Sequence, residues 1–337
     1  MKVAKKLIMF VALAALNAGN IQAQKQKDIV KEMMQNLSKE ELIKHLCIIA
    51  SDEMEGRKTG EFGQKMAANF IRDYYKDLKI DAAPGTDDYF QIVPSKDMRR
   101  MFSPKLNDSE NVVAYIEGSE FPNEYIVISA HYDHVGMANG EIYNGADDDA
   151  SGNSAVMEIA RLFQKAKLAG NGPKRTIVFL HCTGEEYGLF GSNYYVNNPL
   201  FPLENTVCNL NIDMIGRTDK KHEKSKDYLY LVGSDKLSQE LHDLSEATNK
   251  KYSKLILDYE FNEENHPEQI YYRSDHYNFA KRNIPVIFYY SGTHVDYHQP
   301  TDTFEKIEFD KMHQRIKLIF ATAWEVANQP NRIKLNQ

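Results

Sequence analysis

The chain has 337 residues, 48 acidic against 41 basic, and a formal charge of −7. An acidic globular composition without a basic stripe excludes nucleic acid as the expected partner. Three cysteines without tight spacing exclude a disulfide framework, so stability must come from a core that a chain of this length can build.

The first 23 residues carry Lys2, Lys5 and Lys6, an apolar run over 7–16 and a small-residue end at Ala23. That is the pattern of a cleaved secretory leader, and the run is shorter than the roughly 20 residues a membrane span needs. With no cysteine at the expected cut, no lipid anchor is expected. The reading is a signal peptide over 1–23, one domain over 24–337, and a secreted or periplasmic location. Without the leader's three lysines the charge is −10.

Helical spacing covers 39–49 and 63–78, the latter through Ala67, Phe70, Ile71, Tyr74 and Leu78. Short apolar runs bounded by turn residues then predict strands at 111–116, 125–131, 175–181, 207–213, 228–232 and 284–290. Helical stretches lie at 154–169, 236–249, 276–282 and 309–327. No later apolar run exceeds strand length, so no membrane span is expected. Alternating strands and helices predict an α/β fold, a three-layer α/β/α sandwich around a mixed, mostly parallel central sheet. Strands apolar on both faces fit helices on both sides. Cys182 and Cys208 fall in such runs and read as buried thiols, with one disulfide left open.

Polar residues mark one edge of this sheet. His131, Glu185 with Glu186, and Asp213 each fall at or just beyond the C-terminal end of a predicted strand. That is the edge where open α/β sheets bind ligands. In His131-Tyr132-Asp133, residues one and three point the same way along a strand, so Asp133 is placed to hold the His131 ring. Asp147-Asp148-Asp149 stand before a helix between glycines. One or two acids would serve as helix caps; three in succession also suit a metal loop. In Glu185-Glu186 one acid can coordinate while the other shuttles protons. Asp213 ends an apolar strand and needs a partner. In the loop after the last strand, His298 is a ligand candidate, and the Tyr297 hydroxyl is placed to steady charge on a carbonyl oxygen. Each feature alone also has an ordinary surface or capping explanation. Together, imidazoles and carboxylates without cysteine suit a catalytic two-zinc site rather than a closed structural one.

The ordered motifs HYDHVG, NGADDDASG, TGEEYGLFGS, NIDMIG and DYHQPTDT, preceded by SDEMEGRKTGEFGQKMAANFI, resemble the M28 family of zinc aminopeptidases over roughly residues 50–307. The resemblance implies two Zn2+ ions, one held by His131 and Asp213, the other by Glu186 and His298, with Asp148 bridging. It implies Glu185 as general base and then acid, Tyr297 polarising the scissile carbonyl, and a cis peptide between Asp148 and Asp149. Peptides are the implied substrates. Glu185, Asp213 and Asp275 are candidates to anchor a free α-amine. Only about twenty residues separate Phe90 from Asn111, so the protease-associated domain of many secreted relatives is not expected. The motif-poor stretch 217–273 is expected to supply a strand, a helix and part of the substrate rim.

Three rivals share these features. A glutaminyl cyclase has the same fold, but it resembles a one-zinc site with Trp where Tyr297 stands here. A carboxypeptidase or dipeptidase would need a basic group, for which Arg217, Arg273 and Lys281 are available. A non-catalytic binding protein is expected to have lost ligands or the base, and all are present here. Neither the side-chain preference nor the oligomeric state is legible from the sequence.

Overall fold

Four apolar runs, each buried at every position from Tyr125, Arg175, Thr206 and Val286 onward, form the middle of the sheet in the computed structural model. The structure describes residues 29–100, 105–225 and 227–337; the leader segment 1–23 lies outside them. The strands are β1 (Asp81–Ala82), β2 (Phe90–Val93), β3 (Ser109–Ile116), β4 (Phe121–His131), β5 (Gly136–Ala138), β6 (Glu141–Tyr143), β7 (Arg175–Cys182), β8 (Thr206–Ile212), β9 (Tyr228–Val232), β10 (Ile256–Asp258) and β11 (Val286–Tyr290). Across the main sheet the order is β1-β3-β7-β4-β8-β11-β9-β10, with β2 also on β3; β5 and β6 form a separate hairpin. β7, β4, β8 and β11 run parallel to one another. β3 and β9 join them antiparallel, so the sheet is mixed and mostly parallel at its centre, as expected.

Among the described residues the helices include α1 (Lys39–Ile49), α2 (Phe62–Asp77), α3 (Gly152–Leu168), α4 (Phe190–Asn197), α5 (Gln239–Thr248), α6 (His276–Ala280) and α7 (Phe309–Asn328). Strand alternation divides the core. Ile126, Ile128 and Ala130 of β4 pack with Val156, Ile159 and Phe163 of α3 and Ile316, Phe320 and Trp324 of α7. On the other face, Val127 of β4 joins Val178, Leu180, Tyr195 of α4 and Phe279 of α6. Helices on both faces bury the parallel strands, which is why these strands lack polar alternation.

Predicted and observed elements agree except at the periphery. The stretch 217–273 contains β9, α5 and β10. Helix α4 was not expected: its sequence, with two Tyr and two Asn in eight residues, has no apolar period. Cys47, Cys182 and Cys208 are all free. Among the described residues no helix is long and apolar enough to cross a membrane.

Candidate metal centre

Because β4, β7, β8 and β11 are parallel, their C-terminal ends open on one edge. β4 stops at His131, whose register partner is Cys182, the last residue of β7. Three residues further on is Glu185. β8 ends at Ile212, one residue before Asp213, and the loop after β11 returns Tyr297 and His298.

Here His131 Nε2 lies 3.2 Å from Asp148 Oδ1 and 3.6 Å from Asp213 Oδ1. His298 Nε2 lies 3.0 Å from both Asp148 Oδ2 and Glu186 Oε2. The two oxygens of Asp148 thus face two imidazoles, and two groups of potential metal ligands share this carboxylate. One group is His131, Asp148 and Asp213. The other is Asp148, Glu186, His298 and a residue not anticipated, His134. All five predicted ligands converge. Glu185 sits beside them, its Oε2 3.9 Å from His131 Nε2.

The donor set fits a metal of borderline softness. It consists of imidazole nitrogens and carboxylate oxygens without thiolate, which is the catalytic zinc pattern. Glu186 Oε1 and His298 Nε2 are buried with no hydrogen-bond partner. Buried polar atoms in native proteins are nearly always satisfied.

The three successive acids have separate duties. Asp149 turns away from the ligand groups: its Oδ2 accepts the His131 N–H at 3.2 Å, and its Oδ1 accepts those of Gly152 at 2.8 Å and Met214 at 3.2 Å. It ties the ends of β4 and β8 to the start of α3, which is the capping role considered for this run. Asp147 accepts the Gly216 N–H at 2.6 Å. Asp302 receives the main-chain N–H groups of Asp147 and Asp148 at 3.0 and 3.2 Å. Only Asp148 points between the imidazoles. The peptide between Asp148 and Asp149 is cis, as the resemblance implied.

Asp213 is held by a buried polar chain. Ser274 donates to its Oδ2 at 2.6 Å and receives the Asn211 side-chain amide at 2.9 Å, while Ser129 donates to Asn211 Oδ1 at 2.7 Å. Asp133 lies beside His131 as expected, but in a different arrangement. His131 Nδ1 is 3.1 Å from the Asp133 main-chain carbonyl and 3.8 Å from its carboxylate. That carboxylate accepts Thr59 Oγ1 at 2.7 Å and the Glu185 N–H at 3.1 Å, so it positions the Glu185 backbone.

A larger omission is Arg57. Fully buried, it donates to the carbonyls of Ile49, Tyr132, Asn144 and Gly145 at 2.6–2.9 Å and so fastens the segments after β4 and before Asp148. Its only sequence signal was its place in the EGRKTG run.

Electrostatics separate the acids. Burial, reinforced by Glu186, Asp213 and Asp275, pushes Glu185 well above the usual carboxylate range against the opposing pull of His131. Burial also raises Asp148, but the facing imidazoles of His131, His298 and His134 outweigh it and leave that carboxylate well below the usual range. Burial moves Asp275 up to about 6. Asp275 is fully buried and does not line the cleft, so it is not placed to meet a substrate amine directly.

The cleft over the site is lined by Glu185, Asp213, His131 and Asp148 together with Met214, Ile270, Phe288, Tyr290, Tyr297 and Arg273. Ile270 and Arg273 are the rim contribution expected from 217–273. Tyr297 stacks on His298 with ring centroids 3.9 Å apart, and Arg273 reaches its hydroxyl at 3.3 Å. Of the three basic candidates, Arg217 pairs with Asp296 at 3.0 Å, and neither it nor Lys281 lines the cleft.

The fold and this cluster define a candidate metal-dependent hydrolase site on an α/β sheet edge. The profile of Peptidase family M28 matches residues 111–323, and the chain belongs to that family. It is similar to a probable leucine aminopeptidase of Trichophyton verrucosum, 30% identical over 210 residues, covering 60% of this chain and 54% of that protein. It spans about half the length of such curated relatives. Among solved structures, the LapA aminopeptidase of Legionella pneumophila matches with a TM-score of 0.70 at 20% identity, over 90% of this chain and 75% of that one. A zinc aminopeptidase of Bacillus subtilis matches at 0.65 and 18%, over 88% and 98%. A glutaminyl cyclase of Bacteroides thetaiotaomicron matches at 0.63 and 16%, over 88% and 99%. At these identities the structural likeness is one of fold.

Proposed function

We propose that the chain is a secreted or periplasmic aminopeptidase that binds two zinc ions and releases N-terminal residues from peptides. The observation that carries this reading is the pair of ligand groups sharing Asp148, with Glu185 beside them in a cleft of mixed polar and apolar lining. His131, Asp148 and Asp213 hold one ion; Asp148, Glu186 and His298 hold the other. When bound, zinc supplies Lewis-acid chemistry, polarising the scissile carbonyl and acidifying the attacking water.

The remaining chemistry belongs to side chains. Glu185 takes a proton from the attacking water and returns it to the leaving amine; a raised proton affinity suits a group that must hold that proton between steps. Asp133 positions Glu185 through its N–H. Tyr297, at the cleft wall, donates its hydroxyl to the carbonyl oxygen as charge develops there. The carboxylates of Glu185 and Asp213 in the cleft attract a free α-ammonium group. Met214, Ile270, Phe288 and Tyr290 accept the side chain of the N-terminal residue.

One observation favours a second reading. Arg273 lines the cleft and is able to receive a terminal carboxylate, as a dipeptidase or carboxypeptidase requires. Aminoacyl-p-nitroanilides, their N-acetylated forms, N-blocked dipeptides and an N-terminal glutaminyl peptide separate the possibilities. Cleavage restricted to free-amine substrates and abolished by chelation is expected. Cleavage of N-blocked dipeptides, or cyclisation without hydrolysis, would contradict the aminopeptidase reading.

A further inference from the structure

His134, three residues after His131, is fully buried. Neither of its ring nitrogens has a hydrogen-bond partner. Its Nδ1 is 2.7 Å from Glu186 Oε1, a close approach that is not aligned as a hydrogen bond, and Glu186 Oε1 is itself without a hydrogen-bond partner. Asp148 Oδ2 is 3.8 Å away. The His298 ring meets the His134 ring edge-on, with centroids 5.5 Å apart. Leaving a buried polar group unsatisfied is costly, and here two facing groups are left so together.

The surroundings pack closely around this segment. The His134 N–H donates to the Arg57 carbonyl at 3.1 Å, and the Arg57 guanidinium grips the carbonyls of Tyr132, Asn144 and Gly145. Gly145, at φ 55°, lies against both the Asp148 main chain and the imidazole; a Cβ there would come within 2.2 Å of the Asp148 carbonyl oxygen and 2.5 Å of His134 Cγ.

We propose that His134 is a fourth protein ligand of the ion held by Asp148, Glu186 and His298, bound through Nδ1. A tetrahedral zinc with bonds of about 2.0–2.1 Å places its ligand atoms about 3.3 Å apart. The separations in this group, 2.7, 3.0, 3.0 and 3.8 Å, bracket that distance. The two positions are then unequal. The one bounded by His134, Glu186, His298 and Asp148 has a full set of protein ligands, as structural zinc sites do. The one bounded by His131, Asp213 and Asp148 keeps an open position for water or substrate. The first ion would be retained most tightly, and the second would exchange with the medium.

This inference rests on the two-zinc reading above, and the test separates them. X-ray absorption at the zinc edge of the unmutated, fully loaded protein should show three imidazoles shared by two zincs. Two shared imidazoles would overturn the assignment. In His134→Gln, chelator competition should show one of the two ions weakened by at least about 100-fold, the upper end of what an outer-shell partner costs, with the other unchanged. A smaller loss would make His134 a positioning residue and overturn its role as ligand. Failure of the unmutated protein to take up two zincs would contradict the underlying reading. The absorption measurement needs no variant, so misfolding of His134→Gln leaves the proposal open to refutation.

Discussion

Asp149 Oδ2 accepts the main-chain N–H of His131 at 3.2 Å, so the acid adjoining the shared carboxylate braces the fold. Together with Gly152 and Met214 it satisfies three buried main-chain donors. Removing all three acceptances in Asp149→Ala should cost about 3 kcal/mol or more. Urea denaturation of the metal-free protein checks this. An unchanged midpoint would show that water replaces the carboxylate without loss.

Arg57 is expected to matter for both stability and metal retention. Arg57→Met leaves four carbonyl oxygens without their donor, and losses of more than about 3 kcal/mol follow when a buried charged network is broken. Burial lowers its guanidinium only to about 10, so it remains charged at neutral pH. Arg57→Lys should rescue poorly, because a point charge cannot reach carbonyls arranged around a planar fork. Thermal melting with zinc analysis of both variants tests the point, and full rescue by Lys would refute it.

Acid sensitivity should pass through His181. Burial lowers its pKa to about 3, and its neighbours fit the neutral ring: Nδ1 faces Asn153 Oδ1 at 2.6 Å and Nε2 faces the Tyr75 hydroxyl at 2.7 Å. Its folded pKa lies below its unfolded value near 6.5, so the unfolded chain binds the extra proton between these limits. The contribution of His181 is therefore complete above about pH 6.5 and is lost as pH falls towards 3, by about 1.4 kcal/mol per pH unit. Comparing urea stability of the metal-free protein with that of His181→Gln at pH 4 to 7 isolates this slope. A difference independent of pH would exclude it.

The cleft should sort substrates by the apolar size of the first residue. Leu and Phe p-nitroanilides are expected to exceed Ala in kcat/KM by at least about tenfold, the scale of a few methylenes in a hydrophobic pocket. Phe288→Ala should narrow that ratio while leaving zinc content unchanged. A preference for Asp or Lys, or no effect of the substitution, would mean that another surface takes the side chain.

Much of this was legible because the candidate ligands sit where strands end. An apolar strand that stops at His131 or just before Asp213 announces a polar edge, and parallel order brings such ends together. The supporting residues left weaker marks. Arg57 precedes three of its four targets by more than seventy residues, and nothing local shows which carbonyls it will meet. Asp149 and Asp148 are identical in type, and only the chain's path over α3 turns one inward and the other towards the imidazoles. His134 was visible in HYDH, yet it lies beyond the end of β4, where strand alternation no longer indicates direction. The Asp133 carboxylate was matched to the nearest imidazole in sequence, whereas its hydrogen bonds go to Thr59 and the Glu185 backbone.

The most direct test is Glu185→Gln, with kcat and zinc content measured on the same preparation. Glu185 is read as moving the proton, not as holding metal. The expected result is therefore a fall in kcat of about 10²–10⁴ with both zincs retained and KM little changed. Activity within a few-fold of the unmutated protein, or zinc lost in parallel with activity, would contradict the assignment.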